Sequence, residues 1–161
     1  MALVLGGCMS ENDDANDPLP VMSRPGAQKW ARHFVDSMAR TADTQIDPTS
    51  VRPDFTVCVG KDDEVVDDGR FVLDFSARAP LATAGQAKAT QAIRGELEKR
   101  GYEIVSYQEA PGKDPGVTLE AWNAENHFAI SVEGYRRHDG ELLLTITTPC
   151  LLPPGVTQQK A

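Results

Sequence analysis

A chain of 161 residues fits one domain with a tail at each end. Its 40% apolar and 25% charged content is that of an ordinary globular domain. A formal net charge of −8 argues against a nucleic-acid partner, which requires clustered Lys and Arg, and against a polybasic membrane surface.

The chain opens on an apolar run, Met1 to Leu5, then Gly6-Gly7-Cys8, and turns abruptly polar from Ser10 to Asp17. Leu5-Gly6-Gly7-Cys8 resembles the lipobox of bacterial lipoproteins, in which a leucine, two small residues and a cysteine mark the cleavage and lipidation point. The plan is most similar to the small secreted lipoproteins of actinobacteria. The resemblance implies a diacylglyceryl thioether on Cys8, two acyl chains that anchor stably where one would be marginal, and a domain on the extracytoplasmic face of the cell membrane. Three cysteines leave one over; with Cys8 lipidated, Cys58 and Cys150 remain to form a disulfide, which an oxidising compartment favours. The apolar start lacks the charged n-region of a complete signal peptide, so Met1 reads as an internal start or as the remnant of a trimmed signal. No stretch reaches the roughly 18 consecutive apolar residues of a spanning helix.

Residues 8–26 are acidic and proline-punctuated, and read as a disordered tether. Val21-Met22 is the only pair there able to dock on the domain. From about Ala27 to Ala42, apolar residues at Ala27, Trp30, Ala31, Phe34, Val35, Met38 and Ala39 fall on one helical face. Asp47-Pro48 and Arg52-Pro53 mark a connection, and Phe55 to Val59 reads as a short strand carrying Cys58. Lys61 to Asp68 holds five carboxylates, but the spacing does not match a calcium loop, and a solvated acidic loop is expected. Arg70 to Ala77 alternates as a strand with Phe71, Leu73 and Phe75 inward.

A second helix is expected from Thr83, as N-cap, to Arg100, with a seam of Ala89, Ile93 and Leu97 and with Gly101 as the left-handed terminator. Four strands follow: Tyr102 to Gln108, Val117 to Trp122, His127 to Arg137 and Glu141 to Thr148. His138-Asp139-Gly140 supplies the last hairpin turn. The predicted fold is α+β: one antiparallel sheet of about five strands with two helices on one face, in the order α-β-α-β-β-β-β. The strand–helix–four-strand portion is similar to the cystatin-like topology in element order only. The domain plan is a residual signal, 1–7, the tether, 8–26, one domain, 27–152, and a flexible tail, 153–161, fraying by Gln158.

No Gly-x-Ser-x-Gly elbow or phosphate-cradling glycine loop is present, and His33, His127 and His138 make no helical i, i+4 metal pair. Neither cofactor nor metal is expected. The aromatic residues assigned to the outer sheet face, Tyr107, Trp122 and Tyr135, are the binding candidates, because Tyr and Trp bury much area with little entropy loss. The expected function is a membrane-anchored, non-enzymatic binding or envelope-accessory domain, meeting an envelope protein or ligand. The alternatives are a small-molecule or lipid carrier with its pocket between helices and sheet, and a secreted hydrolase.

Overall fold

The first helix, α1, runs Arg24–Thr41, three residues ahead of its apolar stripe. Pro25-Gly26 lies within its first turn. A proline is compatible with the first helical turn, where its missing N–H would be unpaired anyway, and the Ser23 hydroxyl accepts the Gly26 N–H at 3.0 Å as the N-cap. The structure is a computed structural model describing residues 17–60, 62–110, 116–134 and 140–160. The expectations for Cys8, Tyr135 and the His138-Asp139 turn lie outside these residues.

Among the described residues there are two α-helices and one antiparallel sheet of six strands. The strands are β1 (Arg52–Val57), β2 (Phe71–Pro80), β3 (Glu103–Ala110), β4 (Gly116–Trp122), β5 (Ala129–Gly134) and β6 (Glu141–Thr147). The second helix, α2 (Thr83–Lys99), lies between β2 and β3 in sequence. The sixth strand is β1, the short strand expected at Phe55 to Val59; it starts earlier, at Arg52, inside the expected connection, ends at Val57 before Cys58, and pairs with β2 from Arg52↔Ser76 to Val57↔Phe71. Its Pro53 is tolerated because β1 is an edge strand.

Strand order is β1-β2-β6-β5-β4-β3. The meander β3 to β6 therefore returns to lay its last strand against β2. In this register Phe75, Ile146, Ile130 and Ala121 share one face, as do Ala77, Leu144, Val132 and Leu119. Both helices pack on that face. From α1, Ala27, Ala31, Val35, Met38 and Ala39 are buried; from α2, Ala89, Ile93 and Leu97. The small residues let the helices lie close to the sheet.

The second helix begins without a side-chain cap, because the N-cap position falls on Ala82 and Thr83 is already helical. Its end is as expected. Gly101 has φ of +84°, Tyr102 N–H donates to the Leu97 carbonyl at 3.0 Å, and Gly101 N–H donates to Glu98 at 3.1 Å, which is a complete Schellman motif. At the start of α2 the buried Gln86 donates through Nε2 to the Leu81 and Glu141 carbonyls, both at 3.0 Å. It crosses the sheet at Gly134, where a Cβ would stand 2.5 Å from Gln86 Oε1 and 2.9 Å from Val117 Cγ1.

Between Ile104 and Ser106 the β3–β4 register slips, leaving Val105 as a bulge. One extra residue reverses the alternation downstream. Tyr107, expected on the outer face, is thereby turned to the helix face, opposite the buried Leu119.

Gly134→Ala is expected to destabilise the fold by about 2 kcal/mol, because Gln86 carries two hydrogen bonds and cannot retreat freely. Urea unfolding followed by circular dichroism measures this; stability equal to the wild type would show that α2 does not press on the sheet there.

Candidate functional site

The site is built by segments that the sequence separates widely. Beyond β6 the chain keeps pairing with β2: Leu151 exchanges both backbone hydrogen bonds with Phe71, at 2.7 and 2.9 Å. One residue further, Leu152 N–H donates to the Pro20 carbonyl at 2.9 Å and its carbonyl accepts Met22 N–H at 3.0 Å. Residues 17–22, expected to belong to a disordered tether, are thus docked as a strap along the end of the sheet. Val21 forms a parallel bridge to Leu152, and Met22 packs on the core. Gln158, where fraying was expected, donates to the Asp17 carbonyl at 2.8 Å and accepts the Leu19 N–H at 2.9 Å.

On the other side, the Cys58–Cys150 disulfide joins the end of β1 to the exit of β6, with 5.7 Å between the Cα atoms. It spans 92 residues, a loop for which closure entropy gives about 4–5 kcal/mol of stabilisation. Past Cys58, a small turn closes with Gly60 N–H on the Glu64 carbonyl at 2.9 Å and a bridge between Val59 and Val65.

Strap, disulfide and turn enclose an open groove of about 960 Å³ at the end of the sheet. Its floor comes from the outer-face residues Val72, Trp122, Ala129 and Thr147, and from Phe128. The Trp122 indole is stacked on the His127 imidazole, with centroids 5.3 Å apart and planes at 24°. Asn123 shapes the turn that presents them: its Oδ1 accepts the Glu125 and Asn126 N–H groups, and His127 takes φ of +60°. The reverse side of the groove wall is core. Phe128 lies 4.4 Å from Trp30, which continues through Phe34 to Tyr102.

Beneath one end sits a buried ion pair. Arg70 donates through Nε to Asp68 Oδ1 at 2.8 Å and through Nη2 to Oδ2 at 2.5 Å, and both side chains are almost fully shielded. The C-terminal segment completes it, with Gln159 N–H donating to Asp68 at 3.1 Å and Arg70 Nη2 donating to the Gln159 carbonyl at 2.8 Å. The side-chain hydrogen bond from Arg70 holds the Asp68 carboxyl far below the usual carboxylate range, against the opposing effect of burial, with the Gln159 N–H acting in the same direction. Asp68 is the last acid of the run read as a solvated loop, and Arg70 was assigned to the open face of a strand. Their pairing across Gly69 is what removes both from water.

Of the two aromatic candidates among the described residues, Trp122 lines the groove and Tyr107 does not. Tyr107 lies on the opposite sheet face, with the Arg94 guanidinium 5.4 Å over its ring and its hydroxyl donating to Glu109. Burial, and next the Glu109 carboxylate, push the Tyr107 hydroxyl above its ordinary pKa. The groove residues that sequence reading missed are Leu19, Val66, Val72, Phe128 and Leu151. Only Met22 carried a prior signal, as half of an apolar pair in a polar stretch. No protein-family model matches this chain, and no curated protein matches it in sequence.

The depressed Asp68 pKa makes the latch pH-dependent. Its contribution is complete above about pH 4, the ordinary aspartate value, and is lost as pH falls through the lower folded-state value. Asp68→Asn is expected to cost about 3 kcal/mol at neutral pH by leaving the Arg70 charge buried without its partner. It should also flatten the fall in stability below about pH 4. Denaturant midpoints across that range are the measurement, and a variant with the wild-type acid slope would rule out Asp68 as its source.

Proposed function

We propose that this protein is a membrane-anchored, extracytoplasmic lipoprotein, attached through Cys8, whose domain binds an apolar ligand in the groove without transforming it. The observation that carries the binding reading is the groove itself: about 960 Å³, open to solvent, with aliphatic and aromatic side chains from five separate segments. Such a surface costs free energy in water unless something covers it.

The address rests on Leu5-Gly6-Gly7-Cys8 and the polar stretch after it. The Cys58–Cys150 bridge supports an oxidising compartment. The strap adds a geometric link between the two parts of the reading. Asp17 lines the groove, and a fully extended backbone from Cys8 to Asp17 reaches at most about 30 Å. A lipid on Cys8 would hold the groove within that distance of the bilayer. From β2 onward the element order strand, helix, four strands is that of the cystatin-like topology, with α1 and β1 added before it; the likeness is one of element order only and carries no function.

A carrier with its pocket between helices and sheet has no support. The space between helices and sheet is filled by Phe71, Leu73, Phe75, Ile93, Leu97, Leu144 and Ile146, all essentially inaccessible. The ligand volume lies at the end of the sheet instead.

Two experiments bear on this. Growth with an alkyne-bearing fatty acid should label the wild-type product and not Cys8→Ser; a label retained by the variant rejects lipidation at Cys8. Separately, Ala129→Trp should fill the floor of the groove and weaken binding of submicellar dodecyl maltoside by about ten-fold or more, read by calorimetry, with the circular dichroism spectrum unchanged. Undiminished affinity in a folded Ala129→Trp protein would place the ligand elsewhere.

A further inference from the structure

Among the described lining residues of the groove the charges are one-sided. Asp17, Glu64 and Glu125 are the acidic residues among those that line it. The only Lys or Arg among its described lining residues is Arg70. That guanidinium is committed: Asp68 neutralises it through two side-chain hydrogen bonds, and the Gln159 carbonyl takes a third. It therefore offers little to a ligand anion. Across the sheet end, the Trp122 indole lines the same space, and an indole face attracts cations through its quadrupole. The protein's net charge of −8 reinforces the same sign at longer range.

From this asymmetry we propose that the groove selects a single-chain amphiphile with a cationic head, the alkyl body lying on the partly exposed Leu19, Val66, Val72 and Ala129 and the head meeting Glu64 and Glu125. The proposal rests on the groove reading above and adds the charge of the ligand to it. An anionic amphiphile, such as a free fatty acid, meets three carboxylates and no uncommitted Lys or Arg among the described lining residues. A neutral head gains the apolar contacts alone. The Glu64 side chain is held in place for this role by the Asp62 N–H, which donates to its Oε2 at 2.8 Å.

The test compares three probes with the same alkyl chain and different heads, all below their micellar concentrations: dodecyltrimethylammonium, dodecyl maltoside and dodecanoate. Binding to the full chain is followed by calorimetry and by tryptophan emission, with Trp122→Phe identifying the signal that comes from the groove. The expected order is ammonium tightest, maltoside intermediate and dodecanoate weakest, with about ten-fold or more between the extremes at low salt. Raising the salt concentration should narrow that spread in the wild-type protein, a measurement that needs no variant. The double variant Glu64→Gln, Glu125→Gln should bring the ammonium affinity down towards that of maltoside. Equal affinity for all three heads, or a preference for dodecanoate, overturns the charge selectivity while leaving the groove as a ligand site. Binding of none of the three overturns the groove reading as well.

Discussion

The segment from Glu141 to Leu152 is hydrogen-bonded on both sides for most of its length, and the rest of the molecule is arranged around that pairing. As β6 it joins the β1–β2 hairpin to the β3–β4–β5 meander, so the apolar faces of both halves merge into one surface that two helices can cover. Beyond Thr147 it continues without regular strand structure, yet it still satisfies the backbone of Phe71 and Leu73 and then that of Met22. Cys150 lies within this extension, so the disulfide closes its 92-residue loop onto the most constrained part of the chain. A buried backbone group without a partner costs more than most single contacts return, which is why the strap follows Leu152 rather than leaving for solvent.

The groove is a consequence of where that extension stops being covered. Helix and sheet meet in a filled core, whereas the outer face of a one-sided antiparallel sheet is open to water. At one end three pieces crowd that face: the strap, the turn after Cys58 and the β4–β5 turn. None is a regular element: the strap is hydrogen-bonded to Leu152, the turn after Cys58 closes on itself and is tied to the extension by the disulfide, and the β4–β5 turn is closed by Asn123. The Asp68–Arg70 pair sits below them and binds the Gln159 backbone, while the neighbouring Gln158 binds the strap. The walls are thus fixed by a charge pair and two glutamines. The apolar contacts are left facing the open space, and among the described lining residues the uncommitted charge is of one sign because the Arg70 guanidinium is sequestered.

The helices were legible because burial on one side of a 3.6-residue period leaves a pattern that a sequence carries intact. Inward-facing residues of β2, β4, β5 and β6 were legible for the same reason at a period of two. The reading failed where a local rule met a non-local partner. Val105 bulges because β3 must match β4, and nothing in Glu-Ile-Val-Ser-Tyr announces it; the cost was the face of Tyr107. Arg52-Pro53 reads as a turn until β2 offers it an edge. The acids of residues 62–68 look alike in sequence, yet Asp68 alone has Arg70 two residues away and the Gln159 amide brought to it by the fold.

The sequence by itself determined the α+β class, the inward faces of most strands, the termination of α2 at Gly101 and the two cysteines available to pair within the domain. These are encoded by neighbours within a turn or two of chain, or by cysteine parity. Tertiary structure alone decided that β6 lies between β2 and β5, that Tyr107 belongs to the helix face, that residues 17–22 and Gln158-Gln159 are docked, and that a groove exists with Trp122 in it. Each of these depends on contacts between residues far apart in the chain, such as Leu152 with Met22 or Gln158 with Asp17. The energy of such contacts is set by the geometry of closure and leaves no periodic trace in either partner's local sequence.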